Sequence, residues 1–436
     1  MADPGMSVTP YWELTFDADG DVDGPERDQL LTQVTDHGVR DLIVFAHGWN
    51  NDRSAATALY RAFFAPIPGL VPKARLGYVG VIWPSMRFCD EPIPDFPRST
   101  VAAGAAAGPA LDADTRRALA AAFPGRADVL DQVARLLREQ PRGEAELAGF
   151  GRLVRLLVTP AADGPHAAPD TADTDGEGEP AVLGGDAATV CEAFARTLAG
   201  LGPTDGQAEF RLPNPWEGAK ELLRQATYYT MKRRAGTVGE RGLGTVIGRL
   251  AEAAPGVRVH LVGHSFGGRL VSFALRGLPD GVRTVKSVTL LQGAFSHYAF
   301  AQQLPRHPDR AGALKDRQRR IDGPLVCCYS HFDQALGSFY PMASRMADDD
   351  RSVAGELVGE LLGARWGAMG HDGVQAVPGT AGIDLAAALN GGLPASGCVN
   401  VDASTVVRRG GAPAGAHSDI VHPELARVVL AAGRIA

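Results

Sequence analysis

The sequence has few cysteines, and their pattern excludes two common uses of this residue. The five cysteines are an odd number, lie scattered along the chain and form no CxxC pair. Neither a disulfide framework nor a cysteine-based metal site is therefore predicted. The adjacent Cys327 and Cys328 lie inside an apolar run, which predicts reduced residues of the core.

Long apolar segments and an excess of basic charge are also missing. No run approaches the roughly 18 consecutive apolar residues of a membrane-spanning helix. The opening residues, MADPGMSVTPYWELTF, contain no basic segment followed by an apolar stretch, as a secretory signal would. The net charge of -7 argues against a dedicated nucleic-acid-binding protein. We therefore expect a cytoplasmic protein with no nucleic-acid partner and no stable membrane insertion, of undetermined oligomeric state.

Short apolar runs do occur, and they alternate with stretches of helical periodicity. An opening strand or hairpin is predicted near residue 11. Further buried strands are predicted at 41–49, 76–84, 257–263, 285–295, 323–333 and 399–407. Repeated strand–helix units build a mostly parallel sheet with helices on both faces. The sequence thus predicts a doubly wound α/β fold.

The alternation is interrupted after the strand at 76–84. Roughly 130 residues pass before the helix that leads to the next strand, far more than a usual connection. Residues 90–215 are predicted to form an inserted region, either a lid over a substrate pocket or a surface addition without substrate contact. Its acidic part at 159–187 is predicted to be partly disordered. A second insertion is predicted at 337–395, and both belong to a single domain of residues 1–436.

The segment HLVGHSFGGRL, residues 260–270, places Ser265 between glycines where a predicted strand meets a predicted helix. A bare G-x-S-x-G is expected about 0.3 times by chance in this chain, so the strand–helix context carries the inference. A side chain at Gly263 or Gly267 would collide across so tight a turn. The strained serine conformation costs about 1–3 kcal/mol, and the helix start directs N–H groups at developing negative charge. The pattern predicts a nucleophilic serine.

With this motif the sequence resembles the α/β-hydrolase fold superfamily, over residues 40–90 and 225–436. The resemblance implies a serine esterase or lipase-like enzyme whose acid and histidine follow the serine along the chain. It implies Asp333 as the acid, because this residue follows the strand at 323–333. Asp322, which precedes that strand, and Asp402, inside the last strand, are poorer candidates.

Two histidines, His417 and His422, compete for the role of general base in the loop before the last helix. His422 directly precedes Pro423, which is suited to the first turn of a helix. His417 stands roughly six residues before Pro423, which is the usual layout of the family. The resemblance therefore favours His417.

The resemblance also implies an oxyanion hole after the strand at 41–49, in the segment VFAHGWNND. The Phe266 N–H would pair there with an N–H of Gly48 or Trp49, and His47 would shape the loop or merely cap a buried turn. The implied reaction is hydrolysis of a small-molecule or lipid ester through an acyl-enzyme, with no metal or cofactor. A thioesterase or amidase variant, or a catalytically silent hydrolase-fold interaction protein, are the alternatives.

Overall fold

The structure is a computed structural model in which the described residues are 5–49, 51–86, 88, 108–159, 185–200, 213–305, 308–333, 368–410 and 415–436. Internal contacts divide the chain into two units. The first comprises residues 1–85, 232–336 and 367–436, and the second comprises 86–231 and 337–366. Most of the predicted disordered stretch at 159–187, and the first part of the predicted insertion at 337–395, lie outside the described residues.

The first unit contains a parallel sheet of eight strands. They are β1 (Tyr11–Thr15), β2 (Asp41–Ala46), β3 (Leu76–Ile82), β4 (Arg258–His264), β5 (Val285–Leu291), β6 (Pro324–Tyr329), β7 (Ala381–Asp384) and β8 (Gly397–Asp402). Their order across the sheet is β1-β3-β2-β4-β5-β6-β8-β7, and every described pairing is parallel. The inner strands β2 to β6 are buried along almost their whole length, because helices cover both faces of the sheet.

Helices precede, connect and follow these strands. They are α1 (Gly24–Asp36), α2 (Arg53–Phe64), α3 (Ile67–Leu70), α4 (Ala113–Ala122), α5 (Ala127–Glu139), α6 (Glu144–Val158), α7 (Ala187–Gly200), α8 (Pro215–Thr237), α9 (Gly244–Ala253), α10 (Phe266–Gly277), α11 (Met369–Asp372), α12 (Leu385–Ala387) and α13 (Pro423–Gly433). A π-helical turn, Val238–Leu243, joins α8 to α9. Among the described helices we find none whose length and hydropathy would suit it to span a bilayer.

The sheet is the middle layer of the first unit. On one face, Phe45 and Val262 belong to a core cluster with residues of α2 and α13, among them Phe63 and Val428. On the other face α10 packs against β2, β4 and β5. Cys327 and Cys328 of β6 are fully buried and form no disulfide, as the sequence predicted. The predicted α/β class is therefore confirmed.

One strand was not predicted from the sequence. β7 lies inside the segment predicted as the second insertion, 337–395, and joins the edge of the sheet by pairing with β8. Its four residues, AGID, are mostly exposed, so they show no apolar run. The last strand of the chain was predicted at 399–407, and β8 covers the first half of that range. Seven strands were predicted in all, whereas the described sheet has eight.

The second unit is helical where it is described. The helical periodicity that the sequence shows over residues 112–158, inside the predicted insertion at 90–215, corresponds to α4, α5 and α6. Trp216 of α8 packs edge-on against Phe150 of α6, with ring centroids 5.8 Å apart. The indole Nε1 of Trp216 donates to the carbonyl oxygen of Pro141 over 3.1 Å. These contacts hold α8 against α6 and against the loop that follows α5.

Candidate active site

Ser265 occupies the sharp turn between β4 and α10, with φ 56° and ψ −122°. A non-glycine residue with positive φ and this ψ is strained, at a cost of about 1–3 kcal/mol. The turn closes tightly because its flanking residues lack side chains. A Cβ on Gly263 would lie 2.4 Å from the Gly267 oxygen, and a Cβ on Gly267 would lie 1.9 Å from the Ala46 oxygen. Because a side chain at either position would collide with backbone atoms, the turn requires glycine at both.

The backbone of Ser265 is held by the end of β5 and by the loop that follows it. Its N–H donates to the Leu291 oxygen over 3.1 Å, and its own carbonyl accepts from the Ala294 N–H over 3.2 Å. The side chain is buried, and its Oγ makes no hydrogen bond to any described residue. The main chain of Ser265 is therefore fixed by hydrogen bonds, while its hydroxyl has no hydrogen-bond partner among the described residues.

Asp333 and His417 are brought together, although 84 positions separate them in the sequence. Nδ1 of His417 lies 2.9 Å from Oδ2 of Asp333, and both side chains are buried. An ionised carboxylate only accepts hydrogen bonds, so Nδ1 of His417 carries the proton and Nε2 is the basic nitrogen. Asp333 is anchored in turn by its N–H, which donates to the Ser330 oxygen over 3.0 Å.

The competing candidates are engaged elsewhere. Nε2 of His422 lies 2.8 Å from Oδ1 of Asp419, and His422 stands at the N-cap of α13. Asp322 is paired with Lys286, and the hydrogen bond from that ammonium lowers the pKa of its carboxyl. Asp402 accepts from the Ser404 N–H over 2.9 Å. Of the two histidines and three aspartates considered from the sequence, the structure pairs only His417 with Asp333.

His417 contacts the residue that directly precedes Ser265. The rings of His264 and His417 have centroids 5.0 Å apart, and His264 Nε2 lies 3.0 Å from the backbone oxygen of His417. Ser265 Oγ and His417 do not hydrogen-bond each other. The imidazole of His417 therefore lies beside the serine turn without a direct bond to the hydroxyl.

Gly48, one of the predicted oxyanion-hole residues, lies directly against Ser265. A Cβ on Gly48 would lie 2.7 Å from Ser265 Cβ and 3.2 Å from Ser265 Oγ. The ring of Trp49 lies 6.2 Å from that of Phe266, centroid to centroid. Phe266 opens α10, so its N–H belongs to the first turn of the helix, whose N–H groups have no acceptor within the helix. The three predicted residues thus meet at the serine turn.

Two buried side chains, those of His47 and Asn51, hold the loop that carries Gly48. Nδ1 of His47 donates to the Gly48 oxygen over 2.8 Å, and Nδ2 of the buried Asn51 donates to the oxygens of Gly48 and Trp49. In a trans peptide the C=O and N–H point in opposite directions. Fixing the Gly48 oxygen therefore turns the Trp49 N–H away from the His47 ring.

Two buried histidines next to the site are uncharged. Burial lowers the pKa of His47 to about 4, against the opposing hydrogen bond to Gly48. Burial, followed by the proximity of His417, lowers the pKa of His264 to about 3. Near neutral pH both rings act as dipoles and hydrogen-bonding groups, and neither adds a positive charge beside Ser265.

The structure adds three residues that sequence reasoning missed. Asn51 holds the Gly48 loop, and His264 contacts His417, as described above. Gln292, which follows β5, is fully buried with φ 45°, and neither of its amide atoms has a partner among the described residues. Their positions in the sequence could have pointed to two of them. Gln292 directly follows the buried strand β5, and Asn51 stands a few residues after the buried strand β2.

A second row of serine, histidine and aspartate lies near the amino-terminal ends of the strands, away from Ser265. His260 Nδ1 lies 2.9 Å from Ser287 Oγ, and its Nε2 lies 2.9 Å from Asp41 Oδ1. All three are buried, and Arg258 pairs with the same carboxylate. Ser287 stands within the regular strand β5, with no strained turn. This row therefore ties β2, β4 and β5 together and lacks the features of a nucleophile.

A cavity of about 910 Å³ opens at the amino-terminal ends of the strands, between the starts of β4, β5 and β6. Two of its basic side chains already have acidic partners, since Arg258 pairs with Asp41 and Lys286 with Asp322. In open parallel sheets ligands bind outside the carboxyl ends of the strands, where Ser265 lies. The described residues contain no cluster of three or more histidine, cysteine or acidic side chains that could hold a metal ion.

Comparison with protein-family models, with curated proteins and with solved structures finds no match for this chain.

Proposed function

We propose that this chain is a serine hydrolase of the α/β-hydrolase type, which cleaves a carboxylic ester through an acyl-enzyme on Ser265. One observation carries the proposal. A strained, buried serine stands at the start of a helix, with Gly48 against its side chain and the Asp333–His417 pair beside its turn. Each group is of the type that acyl transfer requires.

In the proposed reaction His417 Nε2 removes the Ser265 proton as Oγ attacks the ester carbonyl. Asp333 keeps the proton on Nδ1 of His417 and stabilises the imidazolium that forms. The N–H groups of Phe266 and of Gly48 or Trp49 bind the oxyanion, at about 3–4 kcal/mol for each donor. Water then repeats the attack on the acyl-enzyme. The bond between Ser265 and His417 forms on substrate binding, as catalytic hydrogen bonds often do.

The energetic cost of the serine turn favours an enzyme over a silent interaction protein. The backbone strain at Ser265 costs about 1–3 kcal/mol. The buried hydroxyl without a partner adds a desolvation cost of about 1–3 kcal/mol. Replacing Ser265 by glycine would remove both costs, so an interaction module gains nothing from the serine.

The test is covalent labelling of the purified chain with a fluorophosphonate probe. We expect one label per chain, located at Ser265 by peptide mapping and absent from Ser265→Ala. His417→Gln should slow labelling by at least about 10³-fold, because removal of a triad member abolishes activation of the nucleophile. His422→Gln is the matched control, since His422 also pairs with an aspartate, in a half-buried position, and it should react at the wild-type rate.

Two results would contradict the proposal: a wild-type chain that does not react, or a label that persists in Ser265→Ala. Equal losses in His417→Gln and His422→Gln would contradict the assignment of the base. Initial rates on p-nitrophenyl esters of increasing acyl length, beside a matching thioester and anilide, then separate esterase, thioesterase and amidase activity.

A further inference from the structure

Three hydrogen bonds hold the turn that carries His417, and they come from different parts of the sheet. Asp333, beyond the end of β6, binds the ring at Nδ1. The Phe332 oxygen accepts from the Ala416 N–H over 2.9 Å. His264, the last residue of β4, binds the His417 backbone oxygen over 3.0 Å. The first two bonds tie the turn to the acid, and the third ties it to the strand that carries the serine.

The chemistry of His264 suits it to a fixed contact. A carbonyl oxygen only accepts hydrogen bonds, so His264 Nε2 carries a proton and is the donor. The ring of His264 is buried, and Leu291 is the neighbour of His264 on the adjacent strand β5. Because burial and the neighbouring His417 lower the pKa of His264 to about 3, the ring keeps one proton and no charge throughout the neutral range.

We propose that His264 is a positioning residue for the general base: its Nε2–H fixes the His417 backbone and thereby sets the distance from the His417 ring to Ser265. The inference rests on the proposed function. His264 and Ser265 are consecutive residues on one rigid turn, so the nucleophile and the anchor of its base move together. His264 takes no part in proton transfer.

Two substitutions separate the hydrogen bond from the bulk of the ring. His264→Gln keeps a neutral N–H donor that reaches about as far as Nε2, whereas His264→Phe keeps an aromatic ring without a donor. His37→Phe is the matched control, because His37 is an exposed residue at the end of α1. The rate of fluorophosphonate labelling is measured for each variant as a function of pH, with the folded fraction determined in parallel.

We expect His264→Phe to label about 100-fold more slowly, since a displacement of about 1 Å in a catalytic group costs that much. Its rate should rise with hydroxide concentration and not level off as the wild-type rate does, because the base is no longer aligned. The labelling rate of His264→Gln should stay within about tenfold of the wild-type rate. His37→Phe should label at the wild-type rate. A purely structural role would lower the folded fraction without changing the shape of the pH profile.

A second measurement does not depend on activity. Hydrogen exchange of the Ala416 amide, which donates to the Phe332 oxygen, is measured by NMR and reports how firmly the turn that carries His417 is held. The exchange should stay at the wild-type rate in His264→Gln and become faster in His264→Phe, because the turn has then lost one of its three bonds. The inference is overturned if His264→Phe labels at the wild-type rate, if His264→Gln is as slow as His264→Phe, or if both variants keep the wild-type exchange rate. If the wild-type chain does not label at all, the proposed function fails, and the NMR comparison alone decides the role of His264.

Discussion

Gly48→Ala tests the contact on which the oxyanion-hole assignment depends. The added methyl group would lie 2.7 Å from Ser265 Cβ, 3.2 Å from Ser265 Oγ and 3.3 Å from the His264 oxygen. The first of these distances is roughly 0.8 Å short of the separation of about 3.5 Å at which two carbon atoms pack without repulsion. Because two of the three atoms belong to rigid main chain or to Cβ, the loop that carries Gly48 must retreat.

The expected effect on activity is larger than the effect on stability. Overpacking of this kind costs about 1–3 kcal/mol, which lowers the melting temperature by about 2–4 °C per kcal/mol for a domain of this size. Losing the alignment of one oxyanion donor lowers kcat by about 10²–10³-fold. Hydrolysis of p-nitrophenyl acetate should therefore fall by at least two orders of magnitude at a temperature where the variant is fully folded.

Gly256→Ala is the matched control. Gly256 also belongs to the first unit, has no positive φ, and a Cβ there would meet nothing within 4 Å. This variant should keep the wild-type rate and melting temperature. The reasoning is refuted if Gly48→Ala hydrolyses the ester at the wild-type rate, or if its loss of activity is matched by Gly256→Ala.

Two further predictions concern buried polar groups. Gln292→Leu removes an amide with no described partner while preserving size, so the melting temperature should rise by a few degrees, corresponding to about 1–3 kcal/mol. A fall measured by calorimetry would show that the amide is satisfied. His47 and His264 have pKa values lowered to about 4 and about 3, so between about pH 6.5 and these values the unfolded chain binds protons that the folded chain does not. The free energy of unfolding should therefore fall as the pH falls, by about 2 kcal/mol for each histidine at pH 5. Urea denaturation of wild type and His264→Gln at pH 7 and pH 5 checks this, and equal losses in both proteins would contradict it.

The parts of this protein that the sequence predicted are those that depend on neighbouring residues. Apolar runs predicted six of the eight strands, because a strand buried on both faces of a parallel sheet is mostly apolar. The edge strand β1 was predicted from its alternating pattern and the turn that follows. The exposed strand β7 carried no such signal. The turn at Ser265 was predictable because its geometry depends on Gly263 and Gly267, which lie only two positions away.

The pairing of side chains from distant loops depended on the tertiary structure. The residues alone left His417 and His422 in competition, because both stand in the same loop, and only the resemblance favoured His417. Which of them pairs with Asp333 depends on where that residue lies after β6. The positions of Asn51 and Gln292 after buried strands marked them as polar residues near the site, but no local pattern showed that Asn51 holds Gly48, that the Gln292 amide is unpartnered or that His264 bonds the His417 backbone.

The sequence by itself determined the class of fold and the strained serine turn, because periodicity and steric exclusion act over a few residues. Only the tertiary structure decided which histidine meets which aspartate, what lies against Ser265 and which ring anchors His417. The bond between His264 and His417 alone joins residues 153 positions apart. Such a contact is specified by the packing of whole strands and loops and by no single stretch of sequence.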